Sequence, residues 1–220
     1  RASYNGNTSD FQSDARSSIL LARSKFFEGY IMEIKPLFAE FFVEDTLDID
    51  HESIVDLVYR KKKDAKLDSV YFDGSEPEMT LFYDNVNTKL NAMHEALGLT
   101  KTLKQSLYMA WANVNRNEFI TAPHSHTERP YAVISGVYYP KAEGDANPIE
   151  FMNNNSAVES VMYYDLLESE NVFNTSVRRI QPTTGKVIFF PSWMKHYVAQ
   201  TGEMKEDRIS LAFNAEMVPV

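Results

Sequence analysis

Cysteine is absent from this 220-residue sequence. Without thiols there can be no disulfide framework, no thiolate metal site and no cysteine nucleophile, so a bound metal would have to rest on imidazole, carboxylate or water. Histidine is scarce, with five in all. No apolar run approaches the roughly 20 residues of a membrane-spanning helix, and the first residues lack the charged-then-apolar order of a secretory signal. The expectation is a soluble, cytoplasmic protein, although the chain opens on Arg1 rather than Met, which fits the removal of a preceding segment. Cations are outnumbered, 22 Lys and Arg against 31 Asp and Glu, for a net charge of -9. That balance argues against a sequence-independent grip on nucleic acid. The run Lys61-Lys62-Lys63 is too short to reverse it and reads as the solvated end of a helix.

A hydrophobic content of 44% is enough for one core, so the chain is expected to form a single domain over residues 1–220. Its two halves differ in texture. Residues 1–18 are polar and read as a loosely held arm before the apolar segment Ile19 to Ile31. From Pro36 to Gly98 the pattern is mainly helical. Met79, Phe82, Val86, Leu90, Met93 and Leu97 recur at intervals of three and four, with Ser75 and Glu78 at capping-box spacing, Pro77 suited to the first turn and Gly98 as the stop. A shorter helix over His51 to Lys63 turns Ile54, Leu57 and Val58 toward a core. After Gly98, β-branched and aromatic runs alternate with turn formers. Strands are expected near Leu107 to Asn115, Tyr131 to Tyr139, Ile149 to Met152, Ser176 to Ile180, Lys186 to Phe190 and Arg208 to Asn214. No helices intervene, so residues 101–220 suit a sandwich or jelly roll rather than a parallel sheet. The fold class is α+β, with residues 1–100 as a helical supporting layer.

Chemistry concentrates in that second half. His124-Ser125-His126 sets two imidazoles at i and i+2, which share one side of an extended chain. His196 follows 72 residues later, directly after a strand. Three histidines from two neighbouring strands can face one ion and leave its other positions open. Twelve residues further on, alternation in the last strand sends Arg208, Ser210, Ala212 and Asn214 to one face, with Ile209, Leu211 and Phe213 on the other. An arginine turned into a barrel is costly unless it meets an anion, and its planar fork matches a carboxylate. A metal site beside an Arg-Ser pair is what a small dicarboxylate that also chelates the metal would require.

The order of these motifs carries a family resemblance. His124-x-His126, a strand ending in Tyr138-Tyr139, Gly185 followed by Phe189-Phe190-Pro191 ahead of His196, and Arg208-x-Ser210 together resemble the 2-oxoglutarate/Fe(II)-dependent oxygenases. Within them the chain is most similar to prolyl-hydroxylase-like enzymes, and to a largely uncharacterised group of bacterial and viral members. Ser135-Gly136-Val137-Tyr138-Tyr139 and Phe190-Pro191-Ser192-Trp193 have close counterparts there, and the likeness covers about residues 107 to 217. It implies a double-stranded β-helix (jelly-roll) core, Fe(II), and 2-oxoglutarate as co-substrate. It also implies a reaction with O2 that couples oxidative decarboxylation to succinate with hydroxylation of an unidentified substrate. By the same resemblance His124 and His196 are imidazole ligands, Arg208 and Ser210 hold the remote carboxylate of 2-oxoglutarate, and Tyr139 contacts that co-substrate. His126 stands where most of the superfamily has Asp or Glu. A second assignment makes His126 and Glu128 the ligand pair, with His124 outside the coordination sphere.

Other residues have plainer readings. His51 and His94 are expected to be structural, Trp111, Trp193, Phe189 and Phe190 core fillers, and Asn113 and Asn115 either cavity-facing or loop-capping. A competing function is a cupin-like metal-binding module or isomerase without redox chemistry, which needs the same histidines but has no call for Arg208. The loops at Lys141 to Pro148 and Asn153 to Asn174, where substrate choice would be made, carry no readable code.

Overall fold

Among the described residues, short apolar runs between turn formers build ten strands and two helices. The computed structural model describes residues 37, 39–64, 69–116, 120–127, 132–155, 158, 167–200 and 202–220. The expected polar arm, the segment Ile19 to Ile31 and Glu128 lie outside the described residues. In chain order the elements are β1 (Val43–Thr46), α1 (His51–Asp64), β2 (Ser69–Phe72), a 3-10 turn (Pro77–Met79) and α2 (Thr80–Ala96). There follow β3 (Leu103–Asn115), β4 (Thr121–His124), β5 (Ile134–Lys141), β6 (Ile149–Met152), β7 (Val177–Ile180), β8 (Lys186–Pro191), β9 (His196–Val198) and β10 (Arg208–Pro219). All strand pairs are antiparallel. They form a six-stranded sheet in the order β1-β8-β5-β10-β3-β2 and a four-stranded sheet in the order β4-β9-β6-β7.

Contacts divide the chain into two compact units, residues 40–154 with 177–220, and residues 1–39 with 155–176. In the second unit the turn after Glu170 is closed locally. The Asn171 N–H donates to Asn174 Oδ1 at 2.7 Å and the Asn174 N–H to the Asn171 carbonyl at 3.2 Å. The ten strands and two helices named above lie in the first unit.

The period-2 alternation of the six-stranded sheet gives it two different faces. On one, Leu107, Ala110 and Ala112 of β3, Tyr138 of β5, Val187 and Phe189 of β8, and Ile209, Leu211 and Phe213 of β10 pack with both helices. From α1 come Ile54, Leu57 and Val58, as their spacing predicts. From α2 come Phe82, Val86 and Leu90, each wholly buried and each worth roughly 1.5–3 kcal/mol of transfer free energy. On the other face Val137, Tyr139, Ile188 and Phe190 meet Ile149, Phe151 and Ile180 of the four-stranded sheet in a second core. The chemistry-bearing residues of β3, β5 and β10 belong to this inner face.

Among the described residues of the first hundred, strands accompany the two helices. β1 and β2 lie among them, as the two edges of the six-stranded sheet. Each has four residues, too few for a periodicity to stand out. The capping box does not form either: Glu78 pairs with Arg60, and α2 is entered through the 3-10 turn with no side-chain cap. Leu97, expected on the buried face, is 38% exposed and His94 is buried instead, its Nε2 bonded to the Thr100 carbonyl at 2.9 Å. Gly98 ends the helix at φ +65° as its position predicts.

Gly136 in β5 shows how tightly the sheet face is packed. A Cβ there would lie 2.6 Å from Phe213 Cε2 and 2.7 Å from the Ile188 carbonyl oxygen. Gly136→Ala is expected to destabilise the protein by about 1–3 kcal/mol, read as a lowered thermal midpoint. An unchanged midpoint would contradict this packing.

Candidate metal and anion site

The end of β4, the loop behind it and the start of β9 bring three imidazoles together. β4 pairs β9 with His124 opposite His196, and the chain then turns so that the His126 N–H donates to the Ser192 carbonyl at 2.8 Å. One ring nitrogen from each of His124, His126 and His196 lies within 4.8 Å of the other two. His124 and His196 ring centroids are 4.4 Å apart. The His126 and His196 rings are stacked and nearly parallel, 7° between planes, with their Nε2 atoms 3.4 Å apart.

Backbone carbonyls decide which nitrogens are free. A carbonyl oxygen only accepts, so His124 must donate Nδ1–H to the Ala122 carbonyl (2.9 Å) and His196 must donate Nδ1–H to the Met194 carbonyl (3.0 Å). Each neutral ring then keeps its Nε2 lone pair for the shared space. Burial pushes the His196 imidazole down to about 3 and the His126 imidazole down to about 4, the neighbouring His124 adding to both shifts. Both rings are therefore neutral near pH 7, as metal ligation requires.

The same shifts set a pH dependence for the metal-free protein. Both folded values lie below the ordinary imidazole pKa near 6.5, so between them the unfolded chain binds protons that the folded one refuses. Stability is fully present above about pH 6.5 and falls as pH drops toward the folded values of about 4 and about 3. Thermal midpoints of metal-free protein should decline from pH 7 to pH 4, and His196→Leu should flatten that slope. Parallel slopes in the two proteins would contradict the assignment.

Away from the imidazoles, on the same face of β10, lies a buried cation. Arg208 is 2% exposed. Its Nη1 donates to Asn115 Oδ1 at 2.8 Å and to Ser210 Oγ at 3.3 Å, and its Nη2 to the Tyr139 hydroxyl at 3.4 Å. Its Cζ stands 5.0 Å from the Tyr139 ring centroid. Among the described residues no carboxylate reaches it. The acids next to it in sequence are engaged elsewhere, Asp207 with Arg116 and Tyr59, and Glu206 with Lys141. Burial works against the Arg208 charge. Its Nε and the neighbouring Asn115 Nδ2 are both buried donors without a partner among the described residues. A cluster of donors around an uncompensated guanidinium is a receptor for an anion.

Sequence reasoning named the three histidines, Arg208, Ser210 and Tyr139, and the fold brings His124, His126 and His196 into one group and Arg208, Ser210 and Tyr139 into another. It left Asn115 open between two roles and passed over Asn214, although the β10 alternation places Asn214 on the face of Arg208. Trp111, expected as core filler, is half-buried and stacks on the His126 ring at 5.6 Å between centroids. Strand alternation gave a signal here too, since Trp111, Asn113 and Asn115 share one face of β3.

Residues 109–214 match a family described as "Putative 2OG-Fe(II) oxygenase". Over this span the chain is similar to the 2-oxoglutarate/Fe(II) oxygenases. The match includes His124, His126, Tyr139, His196, Arg208 and Ser210. No significant match is found among curated proteins. Solved structures give the same fold at low identity. A Pseudomonas putida prolyl-4-hydroxylase is 12% identical with TM-score 0.58, over 80% of this chain and 88% of that one. An oxidoreductase of the 2OG-Fe(II) oxygenase family from Burkholderia pseudomallei is 11% identical with TM-score 0.56, over 98% and 93%. The viral collagen prolyl hydroxylase of Paramecium Bursaria Chlorella virus-1, solved as a 2-oxoglutarate complex, is 11% identical with TM-score 0.52, over 81% and 97%.

The residues present fit the cofactors of a 2-oxoglutarate/Fe(II) oxygenase. Two nitrogens each about 2.1 Å from a common ion are roughly 3.4 Å apart when they subtend an angle near 110°, and the His126 and His196 Nε2 atoms are 3.4 Å apart. Imidazole nitrogen suits a divalent iron. The free donors of Arg208 and Asn115 match a carboxylate that the protein itself does not supply among the described residues.

Proposed function

We propose that His124, His126 and His196 hold Fe(II) through their Nε2 atoms, and that Arg208, Ser210 and Tyr139 receive the remote carboxylate of 2-oxoglutarate. In this reading the two sheets form the jelly-roll core of a cytoplasmic hydroxylase, with the helices as its supporting layer. The observation that carries it is the buried Arg208 charge, which has no counter-ion among the described residues, with its Nε and the Asn115 Nδ2 both unused there. A non-redox metal module has no need of such a donor cluster.

What Fe(II) supplies when bound is oxidising chemistry, converting 2-oxoglutarate and O2 to succinate and carbon dioxide as the primary substrate is hydroxylated. The chain's own residues bind and orient. The Ala122 and Met194 carbonyls hold the His124 and His196 rings with Nε2 outward. Arg208 and Ser210 fix the far end of the co-acid, so that its keto-acid end is delivered toward the imidazoles in one orientation. Ile188, Phe190 and Val137 supply an apolar wall that limits water. No side chain is required as a general base.

The test is succinate release from 2-oxoglutarate under air. The oxygenase reading expects succinate only when Fe(II) and O2 are both present. A metal-loaded protein that consumes no 2-oxoglutarate and still turns over another acid would contradict it.

A further inference from the structure

One turn holds two of the three histidines. Between β8 and β9 the chain passes through residues 192–195, where Trp193, expected as core filler, is 48% exposed. The Ser192 carbonyl accepts the His126 N–H at 2.8 Å, and the Met194 carbonyl accepts the His196 Nδ1–H at 3.0 Å. The turn thus fixes the backbone of one imidazole and the ring of another, and a shift of it would move His126 relative to His196.

Main-chain bonds tie this turn down sparingly. Pro191 ends the β5–β8 register opposite Ile134 and has no N–H to give. Beyond it the Ser192 N–H reaches the Val133 carbonyl at 3.0 Å, and the Met194 N–H turns back to the Pro191 carbonyl at 2.9 Å. A further tie is made by side chains. The Ser192 hydroxyl lies 2.8 Å from Ser135 Oγ of β5, which lies 2.7 Å from Asn214 Oδ1 of β10. A carboxamide oxygen only accepts, so the single Ser135 proton goes to Asn214 and the Ser192 hydroxyl donates to Ser135. Ser135 and Ser192 are wholly buried and Asn214 is 7% exposed, so water does not compete strongly for these bonds. As stabilisation alone the chain contributes little, because apolar groups of the same shape can replace a buried hydrogen-bonded pair at nearly no cost. What it adds is a directed link from the turn to two central strands.

We infer that Ser192, Ser135 and Asn214 are positioning residues: their hydrogen-bond chain pins the β8–β9 turn to the six-stranded sheet, and the pinned turn clamps His126 and His196 at the spacing a shared metal ion requires. The inference rests on the reading of these two histidines as ligands.

Two measurements on the full chain separate the clamp from a merely structural role. Site-resolved amide hydrogen exchange of metal-free protein reads the His126 N–H bond to the turn. Ser192→Ala should speed exchange at His126 several-fold while the amides of Val86 and Leu90 in α2, which report global opening, keep their wild-type rates. Chelator competition reads the dissociation constant for Zn(II). Ser192→Ala and Ser135→Ala should each bind roughly 10-fold more weakly, as for loss of a group that supports a ligand. The double variant should bind no more weakly than Ser135→Ala, because both substitutions break the same Oγ–Oγ bond. Should Ser192→Ala fail to fold, Ser135→Ala carries both measurements. Zn(II) affinity unchanged in the single variants, fully additive losses in the double variant, or exchange that rises equally at His126 and Leu90 would overturn the clamp. His126→Ala keeps the two failures apart. If it binds Zn(II) as tightly as wild type, the ligand reading falls and the clamp with it; if it binds weakly while the serine variants bind normally, the clamp alone falls.

Discussion

Replacing Arg208 with methionine should raise the Michaelis constant for 2-oxoglutarate far more than it changes metal affinity. A buried charge-assisted pair costs about 2–5 kcal/mol when one partner is truncated, which converts to roughly 30- to 5000-fold. Arg208 fits this case because it is 2% exposed and, among the described residues, its guanidinium bonds only to Asn115, Ser210 and Tyr139. A second effect has the opposite sign. In the ligand-free protein the same guanidinium is a buried charge with no counter-ion among the described residues, and an apolar side chain of similar length relieves that desolvation. Thermal melts without 2-oxoglutarate should therefore show Arg208→Met no less stable than wild type, while added 2-oxoglutarate raises the wild-type midpoint only. A variant that saturates with 2-oxoglutarate like wild type would remove Arg208 from co-substrate binding.

His196→Ala should abolish 2-oxoglutarate turnover and weaken metal binding by more than about 100-fold, beyond the range typical for loss of a group that only supports a ligand. His196 is the hub of the cluster. Its ring approaches those of His124 at 4.4 Å and His126 at 5.1 Å, and β9 holds it against both β4 and β6. The fold should survive, because the hydrophobic contacts of the Phe151 and Phe190 rings around it persist without the imidazole. Metal affinity by chelator competition and a far-UV spectrum together decide it. Turnover equal to wild type would exclude His196 from the site.

How legible this was in the sequence follows from the range of each interaction. The strands of the second half announced themselves by alternation, and Ile149–Met152 and the start of Arg208–Pro219 fall where expected. The histidines and Arg208-x-Ser210 were legible because alternation fixes which side chains share a face. β1, β2, β4 and β9, each of three or four residues, were not. Such segments are strands because a neighbour offers them a hydrogen-bonding edge, and that partner is distant in sequence: Val43 pairs with Phe189 and Ser69 with Asn113. The failed capping box has the same cause, since Arg60 of α1 takes Glu78 away from its own helix. Asn214 and Ser135 were hidden for a related reason. Each is an ordinary polar residue in a strand until β5 and β10 align and set Asn214 opposite Ser135.

The central claim is that one ion and one dicarboxylate share the space between the histidine cluster and Arg208. Anaerobic titration of the Fe(II) protein with 2-oxoglutarate, followed by visible absorption, tests it most directly. A saturable charge-transfer band from the chelated keto acid is predicted, lost in His196→Ala and shifted to much higher 2-oxoglutarate in Arg208→Met. Absence of the band in wild-type protein shown to hold iron would contradict the account.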